Sequence, residues 1–185
     1  QPSTPYGISK LAEDHIALLY HQHYGVPAIR VRPFFLIGPR KKGDVCSDFA
    51  RGIVAIERGR QTRLRVGNLD IVRDLLDVRD GIEAFWTLAR KGAAGEVYNI
   101  CSGRGYSLRQ ALDMYRTLAK APVQDQLDPK LLRPIDEKAR IGDNGKLRAL
   151  GWAPAISIEH TLADILEYWR SRPPECEGKN GLCKP

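Results

Sequence analysis

An α/β fold follows from three features of the sequence. Helix-length segments with apolar residues three and four apart alternate with short β-rich runs. Proline, glycine and capping residues stand at the ends of those segments. The 185 residues are 43% hydrophobic and 28% charged, an ordinary globular mix that excludes collagen-like, low-complexity and wholly disordered chains.

The first helix is expected over residues 5–24. Pro5 suits a first turn, Ile8, Leu11, Ala12, His15, Ile16 and Leu19 recur at helical spacing, and Gly25 ends the run. Residues 26–32 form a short β-rich run stopped by Pro33, and Phe34 to Ile37 are apolar before a Gly38-Pro39 turn. A helix over 48–58 turns Phe49, Ile53, Val54 and Ile56 inward. Short strands are expected at 64–66 and 75–78. Asp77 then caps a helix that carries Ile82, Phe85, Trp86 and Ala89.

Residues 97–100 read as another strand. Ser107 and Gln110 make a capping box that opens a helix with Leu108, Ala111, Leu112, Tyr115 and Leu118 on one stripe. A Pro- and Asp-rich stretch covers 122–136, and a short helix covers 143–150. Ser157 caps a last helix with Ile158, Leu162, Ile165, Leu166 and Trp169 inward. Trp152 and Trp169 are expected in the core. A doubly wound sheet wants more strands than these, and the expectation is that its first strands lie outside this sequence.

Lys and Arg number 29 against 22 Asp and Glu, a net +7 that favours phosphorylated ligands. The bases are spread along the chain, with the densest cluster at Arg40, Lys41 and Lys42. There is no basic-aromatic interleaving and no zinc-finger spacing, so a phosphorylated small ligand is expected and nucleic acid is not. None of the four cysteines forms a C-x-x-C pair, and no metal site is expected. His21 and His23, two apart near a helix end, read as a solvated terminus. Cys46 and Cys101 lie in apolar contexts and read as buried thiols, whereas Cys176 and Cys183 lie in a polar tail and are able to pair. A reducing cytoplasm is the expected setting. No apolar run approaches the ~20 residues of a membrane helix, and residues 1–5 do not resemble a secretory leader.

The sharpest local signal is Tyr6-Gly7-Ile8-Ser9-Lys10. Four apart on a helix, the phenol and the ammonium share a face. A nearby cation favours the phenolate, so such a tyrosine suits general base work on a hydroxyl or acid work on a carbonyl. A plain surface pair is the bland alternative. Context narrows the choice. Ser3-Thr4-Pro5 precedes the pair, and a β-rich run ending Arg30-Val31-Arg32-Pro33 follows it. This succession resembles the extended short-chain dehydrogenase/reductase family.

The resemblance runs over about residues 1–170. Arg32-Pro33-Phe34 with Ile37-Gly38-Pro39-Arg40 is similar to the R-P-F-N-H-x-G-P segment of the branch holding GDP-mannose 4,6-dehydratase and GDP-4-keto-6-deoxymannose reductase. Val66-Gly67-Asn68-Leu69 with Arg73-Asp74 resembles its G-N-L-x-x-x-R-D stretch. Glu96-Val97-Tyr98-Asn99 with Ser102-Gly103 resembles E-x-Y-N-x-x-S-G. Arg133-Pro134, Gly142-Asp143, Lys146 and Gly151-Trp152 with Pro154 resemble the closing motifs.

The resemblance implies the C-terminal portion of a Rossmann-like doubly wound parallel sheet plus a small α/β substrate-binding lobe. Residues 1–32 would carry the catalytic helix and following strand. Residues 33–170 would mix remaining Rossmann elements with the lobe, and 171–185 would form a disordered tail. It implies Tyr6 and Lys10 as the catalytic pair, with Tyr6, Lys10, Pro33, Arg40 and Lys41 by an NADP or NAD cofactor. It also implies Phe35, Asn68, Arg73 and Arg133 by the substrate, the two arginines facing a nucleotide diphosphate. Asn68 reads equally as a turn residue, Asn99 as a structural hydrogen-bonder, and the arginines as surface ion-pair partners. The implied reaction is first the conversion of GDP-mannose to GDP-4-keto-6-deoxymannose. A reductase or epimerase of the same family is the alternative, and a non-catalytic nucleotide-binding module is a third reading. A homodimer through the Tyr6–Lys10 helix is also implied.

Two departures stand out. Phe35 and Leu36 occupy the positions of the family's Asn and His and cannot make their hydrogen bonds. No glycine set fits G-x-G-x-x-G, since Gly103-Arg104-Gly105 lacks the third glycine. With no Met at residue 1, the expectation is a chain that starts within a longer sequence and does not turn over GDP-mannose alone.

Overall fold

The computed structural model describes residues 4–132 and 137–173. Helix α1 spans Pro5–Tyr24, as Pro5 and Gly25 indicate. The Thr4 hydroxyl accepts from the Gly7 amide at 3.0 Å, and Gly25 closes the helix at φ 68°, a left-handed turn that glycine adopts without a Cβ clash. Strand β1 (Arg30–Pro33) follows, then β2 (Phe35–Ile37) and α2 (Val45–Glu57). Strands β3 (Leu64–Val66) and β4 (Val72–Asp77) lead into α3 (Val78–Lys91). Strands β5 (Val97–Ile100) and β6 (Gly105–Ser107) precede α4 (Leu108–Leu118). Strands β7 (Asp125–Leu127) and β8 (Ala139–Arg140), then α5 (Gly145–Ala149) and α6 (Ile158–Ser171), complete the order.

Several bounds differ from the sequence reading for local reasons. Helix α2 begins three residues before Asp48, because Asp44 caps it and accepts from the Cys46 and Ser47 amides. Residues 26–29 are not strand, since β1 begins only where its parallel register with β5 starts, at Arg30 opposite Val97. Strand β4 starts at Val72, where β6 and β8 supply partners that the sequence did not reveal.

Strand β4 is the hub. It pairs in parallel with β2 and β8 and antiparallel with β6. Separate two-stranded parallel pairs form between β1 and β5 and between β3 and β7. Alternation along β4 feeds two apolar clusters. Leu75 joins Phe49, Ile53, Leu112, Tyr115, Leu162 and Trp169 between α2, α4 and α6. Leu76 joins Ala84, Leu88, Tyr98, Ile100, Leu147 and Trp152 around α3, α5 and β5. Cys46 and Cys101 are buried free thiols, and burial pushes Cys101 up to about 11.

Two apolar faces are not in the core. No residue of α1 is buried, and Tyr6, Ile8, Leu11, Ile16, Leu19 and Tyr20 are exposed. On α3 the inward face is Gly81, Ala84 and Leu88, so Ile82, Phe85 and Trp86 lie outside. Among the described residues, no helix is long and apolar enough to cross a membrane.

Candidate active site

Tyr6 and Lys10 sit one turn apart near the start of α1, side by side. The Lys10 ammonium lies 5.9 Å from the Tyr6 ring centroid. Tyr6 is 72% exposed, so its phenol is open to an incoming group. Lys10 donates to both Glu13 oxygens, at 2.8 and 3.1 Å, and this carboxylate holds its ammonium above the ordinary 10.5. The pair therefore presents a hydroxyl and a fixed cation on one surface.

The other site residues lie beyond the end of β1. Pro33 is its exposed last residue, in register with Ile100. Phe35 opens β2 half-buried, with the Lys41 ammonium 5.7 Å from its ring centroid. Lys41 also donates to the Leu36 carbonyl at 2.6 Å. Arg40 is exposed and holds φ 73°, the only positive value at a non-glycine among the described residues. The Asn68 side-chain oxygen accepts from the Asp70 amide at 3.0 Å, which closes a local turn. Arg73 is only 8% exposed and donates to the carbonyls of Val72 and Glu137 at 2.9 and 2.8 Å. Arg133, Cys176 and Cys183 lie outside the described residues. Phe35 and Lys41 are thus brought together. Among the described residues no hydrogen bond or ion pair ties Tyr6 or Lys10 to Phe35, Asn68 or Arg73.

Two aspartates of the motif stretch, Asp74 and Asp80, brace this region through partners that the sequence did not reveal. Asp74, 1% exposed, accepts from the Ser102 amide and hydroxyl, each at 2.7 Å. It also accepts from the amides of Gly103 and Gly142, at 2.9 and 3.2 Å. Asp80 accepts from the amides of Ala155 and Ile156, and its carbonyl takes the Trp152 indole N–H. Between them, Asp77 caps α3 and receives Arg79 and the Thr161 hydroxyl. Burial pushes the Asp77 carboxyl up, but those hydrogen bonds outweigh it and hold it below the ordinary value. Three acids spaced by three thus tie β4 and α3 to three later segments. The sequence offered the capping role of Asp77 and the Arg73-Asp74 motif as signals, but not these partners.

A cleft of about 280 Å³ opens between β4, β6 and the start of α6, lined by Leu76, Asp77, Ser102, Arg104, Tyr106 and Thr161 among others. Among the described residues, none of the expected site residues lines it.

The sequence model of the GDP-mannose 4,6 dehydratase family matches residues 1–165. The GDP-6-deoxy-D-mannose reductase of Pseudomonas aeruginosa is 36% identical over 92% of this chain and 57% of its own length. The GDP-mannose 4,6-dehydratase of Vibrio cholerae is 27% identical over 89% and 52%. The solved structure of RMD from P. aeruginosa complexed with NADPH superposes with a TM-score of 0.87 at 35% identity, over 94% of this chain and 58% of that one. The chain spans about half the length of the curated relatives it matches.

Proposed function

Because the chain belongs to the GDP-mannose 4,6-dehydratase family, within the extended short-chain dehydrogenases/reductases, we propose that it supplies the proton-transfer pair of a nucleotide-sugar oxidoreductase. The observation that carries this reading is the pairing of Tyr6 with Lys10 at the open first turns of α1. An adjacent phenol and ammonium also fit the hydroxyl-rich ribose of a nicotinamide dinucleotide. That group, when bound, gives or takes the hydride. In the reducing direction Tyr6 gives its phenolic proton to the sugar's C4 oxygen, and in the oxidising direction it takes the C4 hydroxyl proton. Lys10, kept charged beside Glu13, stabilises the phenolate in either case and orients the ribose.

The first reading is reduction of a GDP-linked 4-keto-6-deoxyhexose with NADPH, favoured by the 36% identity to the Pseudomonas reductase. The second is dehydration of GDP-mannose, favoured by the family match over residues 1–165. Phe35 would then meet the sugar nucleotide with an apolar ring where the family resemblance expects an amide, with Lys41 beside it toward the cofactor. Association through the exposed stripe of α1, and a reducing cytoplasm suited to two buried thiols, belong to the same proposal. The protein with all of its native sequence should consume NADPH in the presence of GDP-4-keto-6-deoxymannose. Formation of the 4-keto product from GDP-mannose would instead select the dehydratase. Neither reaction, with folded protein, overturns the proposal.

A further inference from the structure

Among the described residues, almost nothing lies beneath the Tyr6–Lys10 end of α1. From Thr4 to Glu13 every residue is exposed except Gly7, which is half-buried. The first side chain of α1 that reaches into the fold is Asp14, with 11% of it exposed. One oxygen accepts from Arg30 at 2.9 Å and from Arg32 at 3.0 Å, and the other accepts the Arg32 Nε–H at 3.3 Å. Arg30 and Arg32 are two apart on β1, so they project on one face of the strand. Val31 between them packs toward Leu76, Leu88 and Tyr98. Ala17, Leu18 and His21 continue the inward line of α1 further from the pair.

We propose that Asp14 is a positioning residue for the reaction, its carboxylate fixing the rotation of α1 on β1 and thereby the placement of Tyr6 and Lys10. This rests on the reading of those two residues as the proton-transfer pair. Lys10, one turn before Asp14, and Tyr6, two turns before, lie on the same side of the helix. Side-chain ends lie about 5–6 Å from a helix axis, so a rotation of about 10° moves them by about 1 Å. A misplacement of that size costs on the order of 100-fold in rate. A three-point ion pair to two guanidiniums of one strand face resists that rotation. The contacts of Ala17, Leu18 and His21 lie further along α1 from the pair. Loss of the carboxylate also leaves Arg30, itself 12% exposed, facing Arg32 with no anion between them.

The test uses the protein with its full native sequence. Asp14→Asn should lower kcat by about 10- to 100-fold with KM for the sugar nucleotide within about threefold, and Asp14→Glu should recover most of the loss. Asp14→Asn with kcat near wild type, a change confined to KM, or no recovery by Asp14→Glu overturns the proposal. If Asp14→Asn does not fold, Arg32→Gln at a half-exposed site decides. It removes two of the three donated bonds, so a kcat loss of several-fold supports the role and an unchanged kcat overturns it. Tyr6→Phe separates this from the underlying reading. If Tyr6→Phe retains turnover, the assignment of the pair has failed. If it loses turnover while Asp14→Asn does not, only the role of Asp14 has failed.

Discussion

Replacing Asp74 by Ala should be among the most destabilising single changes in the chain. Its carboxylate takes four hydrogen bonds from two segments: the Ser102 amide and hydroxyl with the Gly103 amide, and the Gly142 amide. The Ser102 hydroxyl keeps a second contact, with the Arg104 backbone, but the three amides do not. A buried donor left without its partner costs about 1–3 kcal/mol; with Ser102 and Gly142 half-buried and Gly103 exposed to water, the loss should be about 2–4 kcal/mol. For a chain of this size each kcal/mol is worth about 2–4 °C, so Tm should fall by roughly 4–16 °C. Asp74→Asn keeps the shape but turns one N–H donor toward other donors, and should cost about half as much. Urea unfolding followed by circular dichroism measures both. A loss below about 1 kcal/mol for Asp74→Ala would refute the view that this side chain pins the loops around the end of β5.

Two further outcomes follow from the same kind of reasoning. Tyr115→Phe removes a fully buried hydroxyl that donates to the Cys46 carbonyl at 3.0 Å, and should cost about 1–2 kcal/mol in the same unfolding assay. The hydrogen bond from Arg170, chiefly, holds the Glu57 carboxyl below its ordinary 4.5 against the opposing effect of burial. A lowered carboxyl pKa stabilises the fold above the unfolded-state value and is lost as pH falls through the folded-state value. Tm should therefore hold steady through neutral pH and begin to drop below about pH 4.5. Glu57→Gln should be less stable at neutral pH and lose less on acidification.

Local signals in the sequence were strong where local chemistry decides the structure. Pro5 and Gly25 delimit α1, Ser107 and Gln110 open α4 with both halves of the capping box in place, and the inward stripe of α6 is buried throughout. Signals failed where distant segments decide. Strands β6, β7 and β8 are two or three residues long and exist only through partners far along the chain. Ile82, Phe85 and Trp86 form an apolar set at helical spacing, yet the small residues Gly81 and Ala84 turn to the core because β2 approaches closely there, with Leu36 against Gly81. Of the site, the adjacency of Tyr6 and Lys10 was readable from i,i+4 spacing alone. The Asp14 anchor was not, because it needs β1 laid against α1. Nor was the inward turn of Arg73, because the Glu137 carbonyl that receives it is remote in sequence.

Turnover of Tyr6→Phe, measured with the sugar nucleotide and nicotinamide cofactor that the wild-type protein uses, tests the account most directly. The phenyl ring keeps the shape of an exposed side chain and removes only the proton that the hydroxyl gives or takes. The rate should fall by about 10²- to 10⁴-fold, with nicotinamide binding and Tm close to wild type. A Tyr6→Phe protein turning over within tenfold of wild type would contradict the assignment of Tyr6 and Lys10 as the proton-transfer pair.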